Sequence, residues 1–423
     1  MNQKTLFGLA VAALIAIVIA VVVNHSNRPR SESASEETRY LVPALRDHVN
    51  DVNKLVVTGA ENKPIATITR GDNGWSIAEK GGYAADTSKL REFLLRIAEA
   101  KLLEQKTANK DKYATLGVED VDGKDAKSVA VELDGLGQPV KLIIGNADVH
   151  GGTYVRRAGD AQSWLASGSL NVEKKPENWL RKDLVDVAAT RVSAVEIRHP
   201  DGKVVRVAKQ AEGDANFKLQ DVPKGREPGS EYTINGLASM LANLRFDDVV
   251  PAANAMPGDK ALNAHYATFD GVTVDITAWE KDGKDYAQLV AQLDDDRANQ
   301  HIAAQQAKEK ADYDAEVAAK DKTPSTDASK AADTKAEAPP VEPVKPASVA
   351  DAAKDREQRL AAIGKEVADL NVRFKDWTFV LPPYKYANIN KSMDDLLKAP
   401  EDKKDEKKSA APKKPVAPAP AKG

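Results

Sequence analysis

One pattern occurs twice in this chain, and it limits the fold more than any other feature. "GWSIAEKGGYAADTSKLREFLLRIAEAKLLE" (Gly74 to Glu104) places Trp75, Ile77 and Tyr83 in strand-forming positions around a Gly81-Gly82 turn. Asp86 or Thr87 follows as an N-cap, because a short side-chain oxygen accepts from the orphan amides of a first helical turn. Leu90, Phe93, Leu94 and Ile97 then stand at 0, 3, 4 and 7, on one face of a helix, with Arg91, Arg96 and Glu99 off that stripe. The second copy is "NFKLQDVPKGREPGSEYTINGLASMLANLRFDDV" (Asn216 to Val249). Phe217 and Leu219 take the strand role, Thr233 or Asn235 the cap. Leu237, Met240, Leu241 and Leu244 repeat the spacing, which predicts a helix from Leu237 to Leu244.

The flanks repeat as well. "NKLVVTG" (Asn53 to Gly59) leads the first copy; "SAVEIRHPDGKVVRVAK" (Ser193 to Lys209) leads the second, with a hairpin turn at Pro200-Asp201-Gly202. Strand pairs follow each helix. "KSVAVELDGLGQPVKLIIG" (Lys127 to Gly145) turns through glycines, and "GVTVDITAWEKDGKDYAQLVAQL" (Gly271 to Leu293) turns at Asp282-Gly283. Trp164 precedes Leu184, and Trp377 precedes Leu397, by the same interval. The pattern predicts an α+β protein of two related modules, 51–187 and 188–397, each an antiparallel sheet plus a helix, arisen by duplication.

"TLFGLAVAALIAIVIAVVV" (Thr5 to Val23) carries no charge, and as a helix it would be about 28 Å long, close to the hydrocarbon thickness of a bilayer. A buried core helix of this length would show a polar face. A cleavable signal is the competing reading, but no clear small-x-small site follows the run. An uncleaved single-pass anchor over 1–30 is therefore favoured, with a polar stalk over 31–50. Lys4 and the amino terminus nearly balance Arg28 and Arg30 across it. The short N-terminal tail resembles a bacterial signal-anchor, which places the bulk of the chain in the periplasm and the anchor in the inner membrane.

The second module is interrupted over 297–372. "RANQHIAAQQAKEKADYDAEVAAK" (Arg297 to Lys320) is a good helix sequence. "DREQRLAAIGKEVADLNVRF" (Asp355 to Phe374) sets Leu360, Ile363, Val367 and Leu370 at coiled-coil-like spacing. Between them, Lys322 to Ser348 lacks aromatics and is rich in Ala, Pro, Lys and acids, too poor in apolar groups to offset ordering entropy. The insertion reads as two helices joined by a flexible tip; two independent solvated helices fit the same few heptads. The Lys- and Pro-rich tail, 398–423, reads as disordered.

Candidate chemistry is sparse. Net charge is −3, so no overall basic field attracts nucleic acid, and the absence of cysteine excludes disulfides, thiolate catalysis and cysteine metal sites. His25, His48, His150, His199, His265 and His301 fall at no metal-ligand spacing. "DVHGG" (Asp148 to Gly152) is the nearest thing to a site and reads as a turn. "DVDGKD" (Asp120 to Asp125) resembles a calcium loop, but Val131 occupies the twelfth position and Glu132 stands one residue late. "GLG" (Gly135 to Gly137) joins strands instead of opening a helix, and "SGS" (Ser167 to Ser169) lacks the nucleophile-elbow pattern. Trp75, Trp164, Trp179, Trp279 and Trp377 read first as packing and second as sugar-stacking platforms. No catalytic residue, cofactor or metal is assigned, and a small-molecule ligand stays unknown.

"GWSI", "ADTSKLREFLLRIAEAK" (Ala85 to Lys101), "YATLGVED" (Tyr113 to Asp120), "VKLIIGN" (Val140 to Asn146), "GGTYVRRAGD" (Gly151 to Asp160) and "WLRKDLVDV" (Trp179 to Val187) occur here in this order behind an N-terminal anchor. In this the chain resembles a bacterial envelope family of unknown function found beside gliding-motility-type ABC transporters. The resemblance covers about 50–187 and the second half more weakly; the insertion and tail depart from it. It implies an extracytoplasmic accessory role and carries no catalytic residues. The expected function is a membrane-anchored, non-enzymatic accessory or binding component of an ABC-type envelope transport system. The alternative is an envelope glycan-binding protein or hydrolase using the Trp-bearing surfaces.

Overall fold

The computed structural model describes residues 40–321 and 344–399. The sequence-predicted anchor at 1–30, the first part of the stalk, most of the low-complexity centre and the tail beyond Ala399 lie outside the described residues. Among the described residues no helix is long and apolar enough to cross a membrane. The fold is α+β, with antiparallel pairing throughout its described sheets and two compact units, Met1–Arg181 and Lys182–Gly423.

The first unit starts earlier than the stalk boundary predicts. Leu41, Val42 and Leu45 are buried, and two short 3-10 turns, Pro43–Leu45 and Val49–Asp51, carry the chain into the sheet. Leu41 and Val42 do stand four and three residues before Leu45, but a five-residue run around Pro43 is too short to announce an element. The strands are β1 (Lys54–Thr58), β2 (Pro64–Gly71), β3 (Gly74–Ile77), β4 (Tyr83–Ala84), β5 (Leu102–Gln105), β6 (Val129–Asp134), β7 (Val140–Ala147), β8 (Thr153–Arg157) and β9 (Ser163–Ala166). Alternation sets the register: Leu55 lies opposite Ile68 and Val57 opposite Ala66, all four on the core face. Helix α1 (Thr87–Glu99) covers that face with Leu90, Phe93, Leu94 and Ile97, all buried as the spacing predicts. Asp86 caps it, accepting from the amides of Ser88 and Lys89 at 3.0 Å. On the opposite face a short helix, α2 (Tyr113–Leu116), helps close a small cluster of Tyr113, Val118 and Ile143.

The second unit contains β10 (Asp183–Val185), β11 (Val192–Arg198), β12 (Val204–Ala208), β13 (Lys218–Leu219), β14 (Leu244–Arg245), β15 (Asp248–Pro251), β16 (Leu262–Thr268), β17 (Val272–Lys281), β18 (Lys284–Leu293) and β19 (Trp377–Leu381). Its sheet runs β13-β12-β11-β16-β17-β18-β19-β15. The sheet of the first unit runs β4-β3-β2-β1-β6-β7-β8-β9-β5. Apart from the two-residue β4, the orders correspond strand for strand. In each unit the chain leaves three sequential strands, crosses a helix, lays down the far edge, re-enters beside its first strand and meanders back to that edge. The ends correspond too. Asp86 N donates to Trp179 O at 2.7 Å and Arg181 N to Ala84 O at 3.0 Å; Gly229 N donates to Leu396 O at 2.8 Å and Lys398 N to Glu227 O at 2.9 Å. Leu397 is therefore the counterpart of Leu180, not of Leu184, which belongs to β10. The matching Trp–Leu interval was a coincidence of spacing.

The second helix differs from its expectation. Helix α3 (Glu231–Ala238) begins six residues before Leu237 and gives way to a 3-10 turn, Ser239–Leu241; Leu244 lies in β14. Leu237, Met240, Leu241 and Leu244 are all buried, yet they do not share one helix. Asn243 at φ +45° turns the chain before another helical turn can form. Neither Thr233 nor Asn235 caps: Ser230 holds the N-cap position without a side-chain bond, and the Asn235 carbonyl accepts from Phe217 N at 2.9 Å. At the other end Lys385, on α7 (Pro383–Ile389), donates from Nζ to the carbonyls of Ser239, Met240 and Ala242 at 3.2, 3.0 and 2.7 Å.

The insertion enters between β18 and β19, where the first unit has only Ala158 to Gln162 between β8 and β9. It comprises α4 (Asp295–Asp321), α5 (Ala347–Ala350) and α6 (Ala352–Phe374), with 322–343 outside the described residues. The helices do pair, through polar groups. Gln306 Nε2 donates to Ala352 O and Asp355 Oδ2, each at 2.8 Å, and Arg359 bonds Gln305 at 2.9 Å and Glu309 at 2.9 Å. Ser348, which the sequence assigns to the flexible tip, is buried and bonds Glu309 through its hydroxyl. Leu370 is buried, whereas Leu360, Ile363 and Val367 are half-buried.

Candidate functional site

One cluster of polar groups in the second unit sits where the insertion is rooted. Arg191, just before β11, donates Nε to Asp270 Oδ2 and both terminal nitrogens to the two Glu366 oxygens of α6, all at 2.7 Å. The paired Glu366 bonds, then the Asp270 bond, raise the already high pKa of this half-buried guanidinium. Thr268 orients Asp270 by donating to Oδ1 at 2.5 Å. Arg297, on the first turn of α4, donates to Ser193 Oγ at 2.7 Å, and Ser193 donates onward to Ala267 O at 2.9 Å. Gly271 sits between these groups at φ +92°. A Cβ there would lie 2.6 Å from Asp294 O and 2.8 Å from Ala298 Cβ, so only glycine lets α4 approach this closely.

Phe269, Asp294, Asp296, Arg297, Gln300 and His301 line a cavity of about 460 Å³ at this root. His301 Nε2 lies 2.9 Å from Gln305 Nε2, and Nδ1 lies 4.0 Å from Glu212. The cavity carries both charge signs and one aromatic wall, which suits a polar or zwitterionic guest. The two arginines beside it are directed to protein partners, so the arrangement fastens the insertion to the sheet. Farther along, Asn371 of α6 accepts from Ala291 N at 2.9 Å and returns a bond to Ala291 O at 2.8 Å. It occupies the edge of β18 as a neighbouring strand would.

The sequence-derived candidates are scattered. His25 lies outside the described residues. His48 bonds Asp51 at 2.7 Å, His265 bonds Asp275 at 2.7 Å and His199 bonds Lys391 O at 3.0 Å, each in its own place. Among the described residues no group of His, Asp and Glu is placed to hold a metal ion. Asp120 of the calcium-like stretch pairs with the buried Arg156 at 2.5 Å. "DVHGG" is a turn: Asp148 accepts from His150 N at 2.9 Å and from the Tyr154 hydroxyl, and these bonds, Tyr154 first, hold its carboxyl below the usual range. Trp179 (1% exposed) packs edge-on against Phe93 at 5.5 Å, and Trp279 (3% exposed) stacks on Tyr286 at 5.8 Å. Trp75 lies under Arg70, while Trp164 and Trp377 occupy the corresponding strands β9 and β19. Trp179 and Trp279 are thus buried packing side chains. The Arg191–Glu366 and Arg297–Ser193 bonds join residues too far apart in the chain for spacing to reveal.

Residues 75–264 match the family model of a domain of unknown function (DUF4340). The match runs from Trp75 in β3 to Ala264 in β16, so it spans parts of both modules. No curated protein and no solved structure matches the chain.

Proposed function

We propose that this chain is a membrane-anchored, extracytoplasmic binding component of an envelope transport assembly of the ABC type, non-enzymatic, which engages a protein partner through its inserted helices. The observation that carries this reading is the insertion itself. It interrupts a module whose strand order is otherwise shared with the first unit, and the Arg191 clasp, Gly271 and Asn371 root it firmly. A short loop closes the same place in the first unit, so the sheet does not require these helices. Helix α4, polar around its circumference, supports α6, whose Leu360, Ile363 and Val367 are left half-buried. The shared strand order also supports descent of two related modules from one, and the uncharged Thr5 to Val23 supports the anchor.

The test is a crosslinked pull-down from membranes with the native chain and Ile363→Asp. Partner recovery should fall with little loss of thermal stability. Equal loss of both would make the seam ordinary packing and remove the docking surface. An alkaline phosphatase fusion after Ser35 should be active; a silent fusion, with an active cytoplasmic reporter at the same point, would place the units inside the cell.

A further inference from the structure

Where the described chain begins, Tyr40 is buried beneath two cations. The Arg46 guanidinium lies 4.8 Å from its ring centroid and the Lys101 ammonium 5.2 Å. Arg157 donates to the carbonyl of Leu41 at 2.9 Å and to that of Tyr40 at 3.4 Å. The three basic side chains are exposed, and among the described residues none has a carboxylate partner. Tyr40, Arg46 and Lys101 line a groove of about 320 Å³ with Leu95, Ala98 and Glu99 of α1. Arg91, one helical turn before Leu95, is exposed on the same stripe. Two cations, Arg46 and Lys101, thus line the groove with the exposed Leu95 and one carboxylate, Glu99, and Arg91 and Arg157 stand beside these elements.

We infer that this groove docks on the headgroup layer of an anionic bilayer, with the basic side chains on lipid phosphates and Leu95 toward the acyl boundary. The inference rests on the anchored reading. Two observations select the occupant. The charge is complementary: the groove's two cations outnumber its one carboxylate, Glu99, and neither cation is ion-paired among the described residues. And only 16 residues separate Val23 from Tyr40, a reach of at most about 55 Å, so an anchor would hold the groove close to the lipid surface. Tethering makes docking intramolecular, and a small cationic patch then suffices. Each basic residue near an anionic surface multiplies the docked population about fivefold, an effect that salt screens.

The chain has no cysteine, so Leu95→Cys supplies a single labelling site for an environment-sensitive fluorophore. The labelled full-length chain is reconstituted into phosphatidylcholine vesicles with and without phosphatidylglycerol. Emission should shift to the blue, and a soluble quencher should lose access, only with the anionic lipid and only at low salt. Arg46→Gln and Lys101→Gln should each lower the docked-to-undocked ratio about fivefold. Met256→Cys, exposed in the second unit, should report no change. Three results would overturn the inference: identical Leu95 signals in both vesicles although the chain floats with both, the same shift from inorganic phosphate with neutral vesicles, or an equal shift at Met256. A chain that floats with neither vesicle would refute the anchor, and the docking inference with it.

Discussion

Lys385→Met is the sharpest perturbation this fold offers. Lys385 is 7% exposed, and its ammonium ends on three carbonyls, those of Ser239, Met240 and Ala242. They stand at the C-terminal end of α3 and its 3-10 turn, where intrahelical donors run out, although Ser239 O also accepts from Ala242 N at 3.2 Å. A hydrogen bond to a charged donor contributes about 1.5–3 kcal/mol net, and a buried acceptor left unpaired costs about 1–3 kcal/mol. The three bonds share one ammonium, whose burial is itself unfavourable and lowers its pKa, so the contributions do not simply add. Methionine keeps most of the volume and removes the charge, which returns part of the loss. The expected balance is a destabilisation of about 2–4 kcal/mol, dominated by the Met240 and Ala242 carbonyls, whose bonds are the two shortest. Denaturant unfolding of the full chain gives the magnitude, and hydrogen exchange gives the place: amides from Glu231 to Arg245 should lose protection while those of α1 keep theirs. A Lys385→Met variant within about 0.5 kcal/mol of the native chain would refute the reasoning, because removal of a buried charge would then match the loss of its bonds.

Three further outcomes are expected. Leu94→Ala and Leu241→Ala should each cost about 2–5 kcal/mol in denaturant unfolding, since both side chains are buried against a sheet face. Acidification should loosen the α4–α6 pair: bonds from Ser348 first, then Arg359, lower the folded pKa of Glu309. Its contribution is therefore present above the ordinary glutamate value and lost as pH falls through the folded one. Hydrogen exchange of α6 should rise there in the native chain and much less in Glu309→Gln. Replacing 322–343 by a short Gly/Ser linker should leave the melting temperature nearly unchanged, because closure entropy varies slowly with length; a large drop in a thermal melt would show that this segment takes part in a core.

What the sequence determined by itself was local. The 0, 3, 4, 7 spacing with Asp86 ahead of it set α1, because a four-residue stripe and a cap act within a few turns of chain. Turn chemistry set the hairpins at Pro200-Asp201-Gly202 and Asp282-Gly283, where both turn residues of the latter carry positive φ. Alternation assigned Leu55, Val57, Ala66 and Ile68 to one face. The tertiary structure decided whatever depends on groups distant in the chain. It ended α3 at Ala238 and drew Leu244 into β14, because pairing with β10 competes with one more helical turn. It buried Leu41, Val42 and Leu45, whose run is too short to announce an element. It placed β9 beside β5 and β19 beside β15, closing the same circuit twice. It joined Arg191 to Glu366 across 175 residues, a bond that exists only because α6 returns to the sheet at that point. Short-range patterning is written in periods and caps. A clasp between distant side chains has no period, and only the folded chain brings its partners together.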